Sequence, residues 1–265
     1  MKGFGGVLAL VLSETVAGAA ALTWCTPLWN ETKRSYFALW GAVVTLAFAL
    51  WAWWAARSSA PPGDAAATWS VRLAALTLLA VALSALLLVG RRRGRPLEAA
   101  GRVAGVVSVP VSLATLVALA ATSPQMYPVA FFQLLAGAAF LGAAFDGLFL
   151  GHWYLTDRKL TRVPIQRYTT ALLLASIVEI VAIATGGFGS MSSSPDLNPL
   201  LTAGALAPWI AIGMVAATLL IAVLVRAALK GERASAVQSA TGFYYLAVVT
   251  AFTAEIAVKT RFFPE

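Results

Sequence analysis

Eight apolar segments, each close to or above the length of a membrane span, dominate the sequence. They lie at about residues 4–24, 36–56, 70–90, 103–122, 128–155, 168–187, 200–229 and 239–258. About 20 helical residues cross the hydrocarbon core, and in lipid only helices or closed barrels satisfy the backbone. These segments lack the alternation of a strand. The sequence therefore predicts an all-α, polytopic bundle of about eight transmembrane helices, forming a single integral membrane domain over residues 1–265.

Composition supports this prediction. Hydrophobic residues make up 60% of the chain and charged residues only 11%, whereas a soluble domain carries about 25% charged residues. A net charge of +8 would suggest nucleic acid as the partner of a soluble protein. Here the excess charge lies in short loops, so the lipid bilayer is the expected partner and nucleic acid is not.

The distribution of basic residues predicts the orientation. Of the 19 lysines and arginines, 14 lie in or beside the loops that follow the first, third, fifth and seventh segments. The opposite side holds Lys2, Arg57, Arg72, Lys259 and Arg261. The positive-inside rule therefore predicts a bacterial inner-membrane protein with both termini on the non-cytoplasmic side.

Carboxylates inside the apolar segments are the candidates for chemistry. Glu14, Asp146 and Glu179 have small residues around them, and an ionised carboxyl in lipid is costly, so all three should face the bundle interior. We expect them to move protons; the alternative is a protonated carboxyl that hydrogen-bonds a neighbouring helix. Glu255 precedes Lys259 by four residues, which favours a structural ion pair near the outer end of the last helix.

The only histidine stands at the cytoplasmic end of the fifth segment, in the sequence His152-Trp153-Tyr154. An imidazole beside aromatic rings could hydrogen-bond and enclose a quinone headgroup. A histidine here could equally cap the helix C-terminus, where a cation is stabilised. Both interpretations stay open.

Several cofactors are excluded by inventory. One histidine cannot supply both axial ligands of a bis-histidine haem, and Cys25 is the only cysteine, so this chain alone is expected to ligate neither haem nor metal. The sequence also lacks a phosphate-binding loop and an HExxH motif.

The closing stretch 253–263, TAEIAVKTRFF, resembles a helix end in the NrfD/DmsC-like membrane anchor subunits. Those helices often carry an acid, then glycine-arginine, then aromatic residues. Here the acid is Glu255, the glycine is missing and the arginine is displaced to Arg261. The eight-helix topology is similar as well. The resemblance implies a subunit that exchanges electrons or protons between quinol and a soluble redox partner, with other subunits of a complex.

Three functions remain possible from the sequence. The first is a membrane subunit of a respiratory or related redox complex, quinone-interacting, with proton movement by Glu14, Asp146 and Glu179. The second is a proton-coupled secondary transporter, which should show internal pseudosymmetry and a broken helix near the midplane. The third is a structural or assembly subunit without a cofactor.

Overall fold

The computed structural model describes residues 1, 3–89, 95–157, 159–186, 206–231 and 235–262, and this part of the chain contains helices but no strand. Eight of the helices are long and apolar enough to cross a membrane, which confirms the predicted fold class. They are α1 (Gly3–Cys25), α2 (Arg34–Ser59), α3 (Ala65–Val89), α4 (Arg95–Ala120), α5 (Tyr127–Thr156), α6 (Val163–Thr185), α7 (Leu206–Ala228) and α8 (Ser235–Lys259).

Four helices begin at least four residues earlier than predicted. Helix α3 begins at Ala65 rather than near residue 70, and α8 at Ser235 rather than near 239. Helix α4 begins at Arg95 rather than near 103, and α6 at Val163 rather than near 168. In α4 and α6 a proline stands in the first turn, where its fixed φ suits a helix start, and polar residues continue the helix beyond the apolar segment. Hydropathy marks only the part of a helix that contacts lipid. The predicted bounds at residues 90, 187 and 200 lie outside the described residues.

Helices α1 and α5 form the centre of the bundle. In their most apolar windows 72% and 67% of the residues are buried, against 33–50% for the other six. Glycine permits the contact between them: a Cβ on Gly18 would lie 1.8 Å from the carbonyl oxygen of Ala138, and one on Gly142 would lie 2.4 Å from the backbone of Gly18. The two backbones therefore touch, as at small-residue interfaces between membrane helices.

Helix α8 packs closely against the C-terminal half of α5, where glycines again make room for the contact. The ring of Tyr244 occupies the space beside Gly147, where a Cβ would lie 2.0 Å from a ring carbon. One turn further, the side chain of Thr241 fills the space beside Gly151. Glycines on α5 thus bring α1 and α8 close to one central helix, and this positions the site described below.

Ion pairs tie the helix ends on the side predicted to be cytoplasmic. Lys33 pairs with Asp157 at 2.8 Å, which joins the start of α2 to the end of α5. The hydrogen bond from Lys33 lowers the pKa of the Asp157 carboxyl. Arg34 pairs with Glu98 of α4 at 2.9 Å. In the third pair, Arg167 of α6 binds both carboxyl oxygens of Glu31, in the short helical turn Leu28–Glu31.

Replacement of Gly142 by alanine should destabilise the bundle by at least about 2 kcal/mol, because the new methyl group would overlap the backbone of α1 and force the helices apart. SDS-induced unfolding in mixed micelles measures this loss. Gly242→Ala is the matched control, since a Cβ there has no atom within 4 Å. Equal stability of the two variants would contradict the contact between α1 and α5.

Candidate functional site

Four ionisable residues from three helices meet inside the bundle. Glu14 comes from α1, Glu179 from α6, and Glu255 and Lys259 from α8; the exposed fraction of each is 0%. We call this group the carboxylate–lysine cluster. Its burial confirms that Glu14 and Glu179 face the protein interior, and Asp146, at 2% exposure, does so as well. The role of these residues in proton movement stays a prediction.

Lys259 is the hub of the cluster. Its ammonium nitrogen lies 2.8 Å from Glu14 Oε1 and 2.9 Å from Glu255 Oε2. It also donates a hydrogen bond to the backbone carbonyl oxygen of Gln133 on α5, at 3.3 Å. The ring centroid of Phe262 lies 5.5 Å from the same nitrogen. The ammonium group thus replaces its lost water shell with two carboxylates, one carbonyl and one aromatic face.

Glycine on α5 makes room for the two carboxyls that Lys259 contacts. A Cβ on Gly137 would lie 2.6 Å from Glu14 Oε1 and 2.8 Å from Glu255 Oε2, so both side chains lie against the bare backbone of α5. One turn earlier, the side-chain amide of Gln133 donates to the carbonyl oxygen of Ala182 on α6, at 3.0 Å. Helix α5 therefore forms one wall of the cluster and is tied by a hydrogen bond to α6.

Glu179 differs from the other two acids because it forms no ion pair with any described residue. No N–H or hydroxyl group of these residues donates to either of its carboxyl oxygens. Its carboxyl instead interacts electrostatically with Glu255 and Lys259. Two neighbouring buried carboxyls repel each other when both are ionised, so the pair is more stable when one of them holds a proton. This arrangement gives the cluster a position from which a proton can be exchanged.

Asp146 belongs to a second, separate polar group. Thr23 of α1 donates to Asp146 Oδ2 at 3.2 Å, and Tyr36 and Tyr168 are near enough to interact with the carboxyl electrostatically. The hydroxyl of Tyr168 donates to the carbonyl oxygen of Leu22 at 3.0 Å. Thr23 stands nine residues after Glu14 on α1, so the two residues are about 13 Å apart along the helix axis.

The three residues predicted to bind quinone have different neighbours. His152 is half-buried; its Nδ1 bonds the carbonyl oxygen of Leu148 at 2.9 Å, and its Nε2 bonds the hydroxyl of Tyr245. The buried ring of Trp153 packs edge-on against Tyr36, with centroids 5.7 Å apart. The hydroxyl of Tyr154 donates to the carbonyl oxygen of Thr161. Successive helical residues point about 100° apart, so these rings do not enclose one space, and quinone binding there stays a prediction.

The structure corrects one sequence-based assignment. The predicted ion pair between Glu255 and Lys259 is present, and it is fully buried and joined by Glu14. Lys259, which the distribution of basic residues assigns to the non-cytoplasmic side, therefore lies inside the bundle. The signal that could have identified it is the spacing from Glu255 together with the aromatic residues that follow at 262 and 263.

The cluster contains its own cation. Among the described residues no group of three His, Cys, Asp or Glu side chains is arranged to hold a metal ion. The ammonium of Lys259 lies between Glu14 and Glu255, the position that a metal ion would need in order to contact both carboxyls. The chemistry available to the cluster is therefore exchange of protons among three carboxyls beside a fixed positive charge.

Lys259→Met should destabilise the protein by about 3–5 kcal/mol, because it leaves buried carboxyls without their cation. Addition of Glu14→Gln and Glu255→Gln to the same variant should restore part of the loss by removing those charges. SDS unfolding in mixed micelles measures all three proteins, with Lys159→Met, at an exposed loop position, as control. A triple variant no more stable than Lys259→Met would contradict this electrostatic account.

No family model, curated protein or solved structure matches the chain. The resemblance of residues 253–263 to the NrfD/DmsC-like membrane anchor subunits therefore stays a hypothesis. That stretch includes Glu255 and Lys259, two members of the cluster, so the residues that suggested the family also take part in the buried site.

Proposed function

We propose that this protein is the proton-moving membrane subunit of a respiratory or related redox complex in the bacterial inner membrane, with a quinone or quinol as the redox cofactor. The observation that supports the proposal best is the carboxylate–lysine cluster. Acids inside a membrane are rare, and proton relays are one of the functions that they mark. The redox assignment rests additionally on the resemblance to membrane anchor subunits.

The charge balance of the cluster favours proton exchange. Three carboxylates and one ammonium would carry a net charge of −2 if all were ionised, and a net charge buried away from water is strongly unfavourable. Two bound protons make the group neutral. A change of charge nearby, such as reduction of a cofactor, alters the free energy of each bound proton. The cluster would thereby release or bind protons in step with electron transfer.

Asp146 is proposed as a second proton-binding residue, nearer the cytoplasmic side. It interacts with one hydroxyl of α1 and with two tyrosines, so it has hydrogen-bonding groups beside it that water could bridge. Protons would pass from Asp146 to the carboxylate–lysine cluster by way of transient water, since no direct transfer spans about 13 Å.

Continuity of the helices favours this function over a secondary transporter. Transporter sites are typically formed where two membrane helices are broken near the midplane. Helices α1, α6 and α8, which carry the cluster, run unbroken through the residues that form it. Helix α2 contains a π-helical segment, Phe37–Val44, but stays helical throughout. The sequence also has no evident internal repeat.

The quinone part of the proposal has its support at the edge of the bundle. Tyr245, which bonds His152, is 52% exposed on the bilayer-facing surface. The stacked rings of Trp40 and Phe149 stand beside this pair; Trp40 lies 6.2 Å from the imidazole, and its Nε1 is buried without a hydrogen-bond partner among the described residues. A quinone carbonyl could accept from Trp40 Nε1, and from the Tyr245 hydroxyl when a protonated His152 donates to that hydroxyl. The proposed site thus retains His152 but places it with Tyr245 and Trp40.

Glu179→Gln should lower proton release by at least about 100-fold, because an amide holds the same volume but exchanges no proton. The complex, purified from native membranes through a tag on this chain, is reconstituted in vesicles, and proton release is recorded with a pH-sensitive dye after addition of quinol. Glu98→Gln, at a half-exposed carboxylate paired with Arg34, is the matched control and should leave proton release unchanged.

The same preparation tests the assignment itself. Redox subunits should co-purify with the tagged chain, and the sample should oxidise quinol. A chain that purifies without such subunits and without quinol oxidation would contradict the redox function. Unchanged proton release in Glu179→Gln would contradict the role of the cluster even if the redox function held.

His152→Ala should abolish quinol oxidation while assembly and helix content stay intact, because it removes the imidazole that pairs with Tyr245. If His152 only caps α5, the same change should cost about 0.3–1 kcal/mol of stability and leave turnover unchanged. Turnover and circular dichroism of the purified complex distinguish the two. Tyr154→Phe, two residues further along the helix and bonded to the carbonyl oxygen of Thr161, is the control.

A further inference from the structure

A basic cleft opens between the start of α6 and the end of α7. It encloses about 340 Å³. Its lining residues are Gln166, Thr169, Thr170, Arg226, Leu229 and Lys230. Arg162 holds this end of α7 in place, since its guanidinium bonds the carbonyl oxygens of Leu229 and Gly231. The cleft lies at the membrane boundary, on the side predicted to be cytoplasmic.

The charge of the cleft is unbalanced. Both cations, Arg226 and Lys230, are exposed. Among the residues that the structure describes, no carboxylate lines the space and neither cation forms an ion pair. A larger cleft of about 530 Å³ beside α4 differs, because its lining includes Glu98 as well as Arg102. The smaller cleft is therefore the one that favours an anion.

One available neutral donor, the side-chain amide of Gln166, accompanies the two cations. The hydroxyls of Thr169 and Thr170 already donate to backbone carbonyls within α6, at 2.8 and 3.0 Å, so their oxygens are held at fixed positions. The amide of Gln166 is exposed at the mouth and can donate two hydrogen bonds. Two cations and an amide around one space match the oxygens of a phosphate group.

Aliphatic side chains continue from the cleft toward the middle of the membrane. On α6, Leu174, Ile177 and Val181 follow Gln166 and Thr170 along one face and are 60%, 52% and 51% exposed. On α7, Leu220 and Val223 precede Arg226 and are 60% and 49% exposed. An acyl chain would lie along this surface with its headgroup at the cations, an arrangement that free phosphate does not use.

We propose that this cleft binds the headgroup of an anionic phospholipid, with an acyl chain along the exposed face of α6 and α7. The site is independent of the proton-moving cluster. It would hold a lipid at the edge of the bundle formed by α6 and α7. The segment that connects these two helices lies outside the described residues. The lipid class is phosphatidylglycerol or another phospholipid with a net negative headgroup.

Native mass spectrometry of the purified protein, titrated with dioleoyl phosphatidylglycerol, tests the proposal. We expect one lipid to bind tightly and Arg226→Gln/Lys230→Gln to weaken its binding about 30-fold, since each removed cation contributes roughly fivefold. Dioleoyl phosphatidylcholine should show no such dependence on the variant. Arg102→Gln/Lys159→Gln removes the same charge from the same predicted side, outside the cleft, and should bind as the unmodified protein does.

Three outcomes would overturn the proposal. They are equal weakening in both double variants, equal affinity for the two lipids, and inorganic phosphate competing with the lipid at comparable concentration. The last would identify a site for free phosphate rather than for a lipid. All four substituted residues are exposed. Circular dichroism verifies that the variants fold.

Discussion

The buried ammonium of Lys259 is the interaction on which the interior of the bundle depends. It contacts Glu14 and Glu255 at 2.8 and 2.9 Å with every participant fully buried. Transfer of one such charge from water to a dry interior costs several kcal/mol even after relaxation, and an opposite charge at contact distance offsets that cost. Helices α1 and α8, far apart in sequence, are therefore joined where the environment is least able to support a free charge.

The close packing of α1, α5 and α8 affects the strength of the charge–charge interactions in the cluster as well as the stability of the fold. Gly137 gives Glu14 and Glu255 room beside the α5 backbone, while Gly18 and Gly142 bring α1 against α5 a turn further on. Larger residues would separate the helices and admit water. Because a lower local dielectric strengthens each charge–charge interaction, the glycine contacts determine how strongly the protonation of one carboxyl affects the next.

The sequence predicted what depends on local properties. Segment length and apolarity located eight spans, and the cost of a carboxyl in lipid predicted that Glu14, Asp146 and Glu179 would be buried. It did not predict which acids meet, because that depends on which helices pack together. The distribution of basic residues assigns Lys259 to the non-cytoplasmic side and does not show that it lies inside the bundle. The partner of His152, Tyr245, stands 93 residues away, and no local pattern links the two.

The separation of the two polar groups is itself consistent with controlled proton movement. An unbroken chain of hydrogen bonds would let protons leak down their gradient, whereas about 13 Å of axial distance lies between Glu14 and Thr23, the partner of Asp146. Buried apolar residues separate the two groups along the helices. On α5, Phe140 stands between Gly137 and Asp146, and on α6, Leu172 stands between Tyr168 and Glu179. At this distance and an effective dielectric constant of about 20, two unit charges still interact by about 1 kcal/mol. Each group is thus near enough to respond to the charge of the other, yet too far away to pass a proton without transient water.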